Sequence, residues 1–166
     1  MLGKEEVIKM LDESGIKYDI YEHPPVYTVE EALKIDMPFN EYGLKNLFLK
    51  DKKNNYYIYS LPGEKKADLK ELKKFLGVSN LHFASEEELL DVTGLHKGHV
   101  TPLGALNSGD YSLKVVFDSE LSGLPAGIHP MTNDATLFLS FDELYTFLKD
   151  NKVDIIMYND NITKTG

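Results

Sequence analysis

The sequence predicts a single α/β domain over residues 1–166. Its sheet is expected to be mixed and curved and to be flanked by helices, which is an α+β arrangement. A chain of 166 residues is most simply one domain. Predicted helices and strands are interspersed along it, which favours an α/β fold. Several predicted strands follow one another without a helix between them, which argues against a regular doubly wound parallel sheet.

Amphipathic segments with recognisable start and stop residues predict the helices. Gly15 is suited to end the first of them, because glycine readily adopts the left-handed conformation that follows a helix. Thr28 with Glu31, and Ser85 with Glu88, have the spacing of capping boxes, which satisfy free N–H groups in the first helical turn. The predicted helices are residues 5–14, 28–35, 68–76, 85–92 and 141–148.

Apolar runs and alternating patterns, many of them rich in β-branched and aromatic residues, predict the strands. Residues 51–55 favour a turn, so the strands on either side of them are predicted to form a hairpin. Residues 97–106 and 123–132 are rich in glycine and proline and are predicted to be loops. The predicted strands are residues 17–22, 44–50, 56–61, 81–83, 113–117, 135–139 and 153–158.

The composition excludes several classes of protein. Without cysteine, the chain has neither disulfides nor thiolate chemistry. No apolar run approaches the roughly 20 residues that span a bilayer, so no membrane partner is expected. The N-terminal segment is charged and lacks the core of a signal peptide, so a cytoplasmic location is expected. The net charge of −9 argues against broad nucleic-acid binding.

The charge is distributed unevenly along the chain. Residues 45–74 contain nine lysines and four acids, a net charge of +5, whereas the rest of the chain carries −14. A basic segment on an acidic protein can bind phosphate groups, or it can simply be a solvated surface. All 18 cationic residues are lysines, so phosphate contacts would use point charges and not bidentate guanidinium groups.

No strong generic catalytic motif is present. The chain lacks a P-loop and a Gly-x-Ser-x-Gly elbow, and a covalent nucleophile is therefore not expected. His96 and His99 are three residues apart but lack further ligands at useful spacing. The sequence therefore predicts no metal site and no cofactor.

Three polar elements remain as candidates for chemistry, and each has an ordinary structural alternative. Lys45 begins an apolar strand, where a lysine can also extend along the sheet edge into solvent. The loop Gly98–Pro102 can direct backbone N–H groups at a developing oxyanion, or it can be a plain connection. His129 lies in the second glycine- and proline-rich loop and can be a catalyst or a structural hydrogen-bonding residue.

Four sequence blocks together resemble the aminoacyl-tRNA editing superfamily, which is related to the insertion domain of bacterial prolyl-tRNA synthetase. Within it the chain is most similar to the free-standing alanyl-tRNA(Pro) deacylases. The blocks occur in the expected order, and the resemblance spans residues 8–159. The blocks are Glu22–Val26 with Thr28–Ala32, Lys45–Lys53, Gly98–Pro102 and His129–Asn133.

The resemblance implies a barrel-like mixed sheet and a hydrolytic function. The implied reaction cleaves the ester between alanine and the 3′-terminal ribose of tRNA(Pro), without a metal, a cofactor or a covalent intermediate. The implied partners are the acceptor end of tRNA(Pro) and, as a further possibility, prolyl-tRNA synthetase. Two alternatives stay open: a deacylase for cysteinyl-tRNA(Pro), and a non-catalytic module that binds tRNA or the synthetase.

The resemblance also implies a set of site residues. The family lysine matches Lys45, the glycine of the Gly-x-x-x-Pro loop matches Gly98, and the pocket histidine matches His129. The arginines that some relatives use on tRNA are absent. The expected substrate pocket includes Val29, Leu33, Phe48, Pro102, Thr132 and Asn133. The lysines expected to contact tRNA are Lys50, Lys52, Lys53, Lys65 and Lys66.

Overall fold

The strands form two sheets in the computed structural model, which describes residues 1–159. The last residues of the predicted domain, 160–166, lie outside this range. The strands are β1 (Asp19–Glu22), β2 (Leu44–Lys50), β3 (Tyr56–Pro62), β4 (His82–Phe83), β5 (Leu113–Asp118), β6 (Pro125–Ile128), β7 (Ala135–Ser140) and β8 (Asp154–Tyr158). The helices are α1 (Lys4–Glu13), α2 (Val29–Leu33), α3 (Leu69–Leu76), α4 (Glu86–Thr93) and α5 (Phe141–Asp150).

The smaller sheet has the order β1-β7-β6 with antiparallel neighbours, and the larger has the order β4-β2-β3-β5-β8. In the larger sheet β3 pairs in parallel with β5, and β5 with β8, whereas β2 is antiparallel to both its neighbours. This arrangement confirms the predicted mixed α/β class. The strands are divided between two sheets, however, and do not close into a barrel.

The two sheets meet at an isolated parallel bridge between Gly43, just before β2, and Gly127 in β6. The Gly63 N–H donates to the Gly43 oxygen over 3.0 Å, so three glycines meet at this seam. A Cβ atom on Gly127 would lie 2.5 Å from Cε1 of Phe138 and 3.2 Å from the Gly43 Cα. Only glycine therefore allows the backbones to approach so closely.

Two apolar clusters cover the two faces of the larger sheet. One packs α1, α4, α5 and the smaller sheet against residues such as Ile58 and Phe117. The other packs α3 against Tyr59 and its neighbours. Burying one large apolar side chain stabilises the fold by about 1.5–3 kcal/mol. Both faces of the larger sheet are therefore filled, and a cavity lined by residues of both sheets lies where the two sheets meet.

The predicted helix ends agree well with the structure. Ser85 and Glu88 make both bonds of a capping box at the start of α4. The Thr28 hydroxyl accepts from the Glu31 N–H at the start of α2, but the Glu31 carboxylate accepts from the N–H of Tyr27 instead of Thr28. This second bond joins α2 to the residue that precedes its cap.

One strand and several short helical turns were not expected. The predicted loop 123–132 contains β6, whose Pro125 and Gly127 are typical of turns. Pro125 is tolerated as the first residue of this strand, and pairing with β7 extends the chain through the glycine. The turns of 3₁₀ helix are Asn40–Tyr42, Pro102–Asn107 and Ser119–Leu121. No helix within residues 1–159 is long and apolar enough to cross a membrane.

Candidate active site

A cavity of about 350 Å³ opens at the junction of the two sheets. Helix α2 forms one side of it, and the first residues of β2 form another. The end of β6, Thr136 of β7 and the loop residues Gly98 and Val100 also contribute to the lining, as do residues that flank α2 and β2 such as Tyr27 and Asn40. The walls are mainly apolar with a few polar groups, which is the usual character of a small-molecule site.

The structure brings together five of the predicted site residues around this cavity. Lys45 and His129 reach it from different sheets, and Gly98 reaches it from the loop after α4. Val29 and Leu33 face it from α2. Because these residues come from four separate segments of the chain, their convergence could not follow from local patterning.

Two of the predicted pocket residues belong to the core instead. Phe48 is 5% exposed and stacks on Tyr56 with ring centroids 5.4 Å apart, so its side chain packs in the core and does not line the cavity, although the preceding Leu47 does. Pro102 is buried at the start of its 3₁₀ turn, after the chain has left the cavity at Val100. Both expectations are therefore corrected.

Thr132 and Asn133 also lie outside the cavity lining. The Thr132 hydroxyl donates to Asp134 over 2.8 Å, which closes a local turn. The buried side-chain amide of Asn133 donates to the main-chain oxygen of Val26 over 2.9 Å. The main-chain oxygen of Asn133 accepts from the Val26 N–H over 3.1 Å. Asn133 thus fixes the segment that leads into α2, and it supports the cavity without lining it.

Lys45 is held by a main-chain acceptor. Its Nζ donates to the Lys65 oxygen over 2.7 Å. The Lys65 ammonium in turn lies 2.7 Å from Oδ2 of the buried Asp118 and 3.2 Å from Oε1 of Glu120. Burial alone would lower the pKa of Lys65, but the hydrogen bonds to the two carboxylates raise it overall. The charged form of Lys65 is therefore favoured. Its ion pairs anchor the residue whose main-chain oxygen accepts the hydrogen bond from Lys45.

The surroundings of His129 favour its neutral form, in which the outer nitrogen is an acceptor. Burial lowers the pKa of His129, and the nearby His23 and His99 lower it further against the opposing hydrogen bond to Ala135. Nδ1 lies 3.3 Å from the Ala135 oxygen. Since a carbonyl oxygen can only accept, Nδ1 carries the proton and Nε2 keeps its lone pair.

Gly98 allows the loop to pass beneath an aromatic ring. Its φ of +85° lies in the region that favours glycine, and a Cβ atom there would be 2.8 Å from Cδ1 of Tyr27. The His99 N–H donates to the His96 oxygen over 3.0 Å and is committed to the turn. The flanking residues Gly98 and Val100 line the cavity.

Several cavity residues were missed by sequence reasoning. Asn46 lines the cavity and directly follows Lys45 within a block that resembles the family. Its position in that block could therefore have identified it as a site residue. Asn40 had no such signal. Its Nδ2 group donates to the oxygens of Ala32, Leu33 and Ile35 over 3.0, 3.1 and 2.7 Å. Asn40 therefore ties the end of α2 to the segment that enters β2.

The lysines predicted to contact tRNA fall into two groups. Lys50 forms a 2.7 Å ion pair with Glu88, and Lys65 is committed to Asp118. Both side chains are therefore already paired with carboxylates, and their contact with tRNA stays a prediction. Lys52, Lys53 and Lys66 are exposed.

The histidines beside the cavity do not form a metal-binding group. The rings of His96 and His99 are 5.9 Å apart. Across residues 1–159, no three His, Asp or Glu side chains are grouped so that they could hold a metal ion.

Comparison with known proteins identifies the family. The model of the aminoacyl-tRNA editing domain matches residues 23–147. The chain is 42% identical over 153 residues to the prolyl-tRNA editing protein ProX of Acetoanaerobium sticklandii, covering 91% of this chain and 93% of that protein. It is 39% identical to the bovine prolyl-tRNA synthetase associated domain-containing protein 1, covering 87% of this chain and 88% of that protein.

A solved structure supports the fold. A protein provisionally described as a trans-editing enzyme for prolyl-tRNA synthetase superimposes with a TM-score of 0.67 at 20% identity, covering 95% of this chain and 97% of that one. The family model covers most of the chain, and the cavity lies within the matched residues. The chain therefore belongs to the aminoacyl-tRNA editing domain family and is an aminoacyl-tRNA deacylase.

Proposed function

We propose that the protein hydrolyses the ester of mischarged alanyl-tRNA(Pro) and releases alanine and free tRNA(Pro). The observation that carries the proposal is the convergence of Lys45, Gly98 and His129 on one small, largely apolar cavity. The similarity to a protein named as a prolyl-tRNA editing protein supports tRNA(Pro) as the substrate tRNA.

The need for such an enzyme follows from the energetics of selection. A synthetase pocket that accommodates proline discriminates against a smaller amino acid by only about 1–3 kcal/mol per missing methylene. A second site can select in the opposite sense by admitting alanine and excluding the proline ring. Val29 and Leu33 of α2 form the apolar wall that would contact the amino-acid side chain.

The reaction needs a positioned water molecule and a stabilised oxyanion. The water oxygen bonds to the ester carbonyl carbon, and the carbonyl electrons move to its oxygen. Collapse of this intermediate breaks the bond to the ribose oxygen, which takes up the proton from water, directly or through the neighbouring ribose hydroxyl. The N–H groups of Gly98 and Val100 are the candidates for stabilising the oxyanion.

Lys45 contributes through position and charge. Its ammonium group has two further N–H bonds besides the one directed at the Lys65 oxygen. These can bind the terminal phosphate or ribose and so hold the ester beside the loop. Exposed Lys52, Lys53 and Lys66 would contact phosphates of the acceptor stem.

The proposal is tested by charging tRNA(Pro) separately with labelled alanine, cysteine and proline and measuring release by the purified protein. Alanine is expected to be released fastest. Faster release of cysteine would make the protein a cysteinyl-tRNA(Pro) deacylase. Binding of tRNA(Pro) without any release would instead identify a non-catalytic module. Repeating the assay with added prolyl-tRNA synthetase tests whether that enzyme is a partner.

A further inference from the structure

Three polar side chains form a row across the three strands of the smaller sheet. Thr136 is in β7, His23 directly follows β1, and His129 directly follows β6. Thr136 and His129 line the cavity, and His23 contacts Thr136 with its Nε2 2.7 Å from the threonine Oγ1. Tyr21 of β1 pairs with Thr136, so His23, two residues further along, reaches Thr136 diagonally across the two strands.

The contacts of His23 determine the direction of the Thr136 hydroxyl. Nδ1 of His23 lies 2.9 Å from the Pro24 oxygen, which can only accept, so Nδ1 carries the proton. In the neutral imidazole Nε2 is then an acceptor, and the Thr136 hydroxyl donates its hydrogen to it. Because the hydroxyl acts as a donor in this bond, both lone pairs of the Thr136 oxygen remain free to accept hydrogen bonds from a group in the cavity.

One wall of the cavity therefore offers acceptors. Thr136 contributes its hydroxyl oxygen, and His129 contributes Nε2, because its Nδ1–H is directed at the Ala135 oxygen. Lys45, Gly98 and Val100 also line the cavity, so the Lys45 ammonium and the N–H groups of Gly98 and Val100 are the candidate donors. An aminoacyl ester is polarised in the same way, with an ammonium group that donates and a carbonyl oxygen that accepts.

We propose that Thr136 and His129 bind the α-ammonium group of the aminoacyl ester, and that His23 is a positioning residue that orients the Thr136 hydroxyl. This inference rests on the proposed function, because it assigns the orientation of the substrate in the same cavity. It places the ester carbonyl toward Gly98 and the ribose toward Lys45.

The arrangement predicts selection for a free amino group. Acylation of the amine removes its charge and leaves a single N–H, and it adds a carbonyl oxygen that would face two acceptors. Esters of N-acylated amino acids, which include peptidyl-tRNA, are therefore poor substrates. Such selection would keep a tRNA(Pro) deacylase from releasing nascent peptides.

The test compares alanyl-tRNA(Pro) with N-acetyl-alanyl-tRNA(Pro) as substrates of the full chain. The unmodified protein is expected to prefer the free amine in kcat/KM by about 10- to 100-fold, the range of a hydrogen bond to a charged group. Thr136→Val keeps the branched shape that suits a strand but removes the acceptor. It should reduce this preference, because hydrolysis of alanyl-tRNA(Pro) falls more than hydrolysis of the acetylated ester.

Two further variants separate orientation from simple support. Thr136→Ser keeps the oxygen and should keep most of the preference. His23→Ala frees the hydroxyl to rotate and should lower the preference, whereas His23→Gln supplies an amide oxygen and should restore part of it. A purely structural role would lower the rates for both esters equally and leave their ratio unchanged.

The outcomes distinguish this inference from the proposed function. If the unmodified protein hydrolyses both esters equally well, or if Thr136→Val keeps the full preference, the inference is overturned while the proposed function stands. If the unmodified protein releases alanine from neither ester, the proposed function fails and the inference falls with it. The first comparison requires no variant, so a folding defect cannot obscure it.

Discussion

The Nζ atom of Lys45 lies 2.7 Å from the main-chain oxygen of Lys65, which fixes the ammonium group at the cavity. Lys45→Ala is expected to lower alanine release at least tenfold, because the terminal nucleotide loses its anchor. The free energy of unfolding should change by no more than about 0.5 kcal/mol, as for substitutions outside the core. Lys114, an exposed lysine on β5, provides a matched alanine control.

Lys45→Arg discriminates between charge and shape at the same position. A planar guanidinium should not fit where a compact ammonium group donates to a single oxygen, so poor rescue is expected. Release should be measured beside the melting temperature of each variant. A Lys45→Ala protein with a native melting temperature and undiminished release would show that Lys45 is an ordinary sheet-edge lysine.

Gly98→Ala should impair catalysis by disturbing the loop. The added methyl would meet Tyr27 at 2.8 Å, and the φ of +85° adds strain of about 1–2 kcal/mol. Gly15→Ala is the matched control, since Gly15 has a φ of +71° and no atom within 4 Å of the added Cβ. Single-turnover rates should fall for Gly98→Ala only. Equal rates in both variants would remove the loop from the mechanism.

The exposed lysines should determine the salt dependence of tRNA binding. Replacing Lys52, Lys53 and Lys66 together by alanine should weaken binding and reduce the slope of log affinity against log salt by about one per lost phosphate contact. Binding should be measured from low to moderate salt. Replacing the exposed Lys9 and Lys17 of the N-terminal region provides a control. An unchanged slope in the triple variant would exclude this surface from the tRNA interface.

The activity should depend on the neutral form of His129. Burial lowers the pKa of this histidine, so kcat/KM should decline only below its ordinary value of about 6.5. The nearby His99 also has a lowered pKa, caused by burial and by His96. NMR titration of each ring should therefore accompany the rate profile. A decline centred above pH 6.5, or one that does not follow the His129 titration, would contradict the assignment.

The ion pair between Lys50 and Glu88 should contribute to stability over a defined range of pH. The hydrogen bond from Lys50 is the largest influence on the pKa of Glu88, which falls to about 2 despite partial burial. Because the folded pKa is depressed, the contribution is complete above the ordinary glutamate pKa of 4.5 and is lost as the pH falls toward 2.

Glu88→Gln should remove this dependence and lower the free energy of unfolding at pH 7 by about 1–2 kcal/mol, after allowance for solvent screening. The Tyr56 hydroxyl also donates to Glu88 over 2.7 Å, so part of the loss of stability will come from weakening of that hydrogen bond. Denaturant unfolding at several pH values measures it. If the free energy of unfolding depends on pH in the same way in the unmodified protein and in Glu88→Gln, other carboxylates are responsible for that dependence.

Local signals predicted most of the helices and strands. Capping residues such as Ser85 and stop residues such as Gly77 act within one helical turn, so their effects can be recognised in the sequence. Strand β6 could not be recognised in this way. Its proline and glycine favour a turn, and the interactions that extend it come from β7 and from the distant Gly43.

The site was predictable only in part, for a related reason. Lys45, Gly98 and His129 were suggested by a resemblance of several blocks, and their meeting at one cavity depends on the whole fold. Phe48 was misplaced because its apolar character suits a core and a pocket wall equally. Lys65 was expected to contact phosphate because its ion-pair partner, Asp118, is 53 residues away in the chain and could not be recognised from local sequence.

The seam of glycines described above gives the cavity two unequal sides. On the side of Gly43 and Gly127 the surface is largely main chain, so a substitution there would separate the sheets before it altered what the cavity admits. On the other side α2 is five residues long and is held at its end through the amide of Asn40. Changes in substrate preference should therefore arise through replacement of α2 side chains such as Val29 and Leu33. Such replacements would leave Lys45, Gly98 and His129 in place, so the preference for the amino-acid side chain could change without rebuilding the proposed catalytic groups.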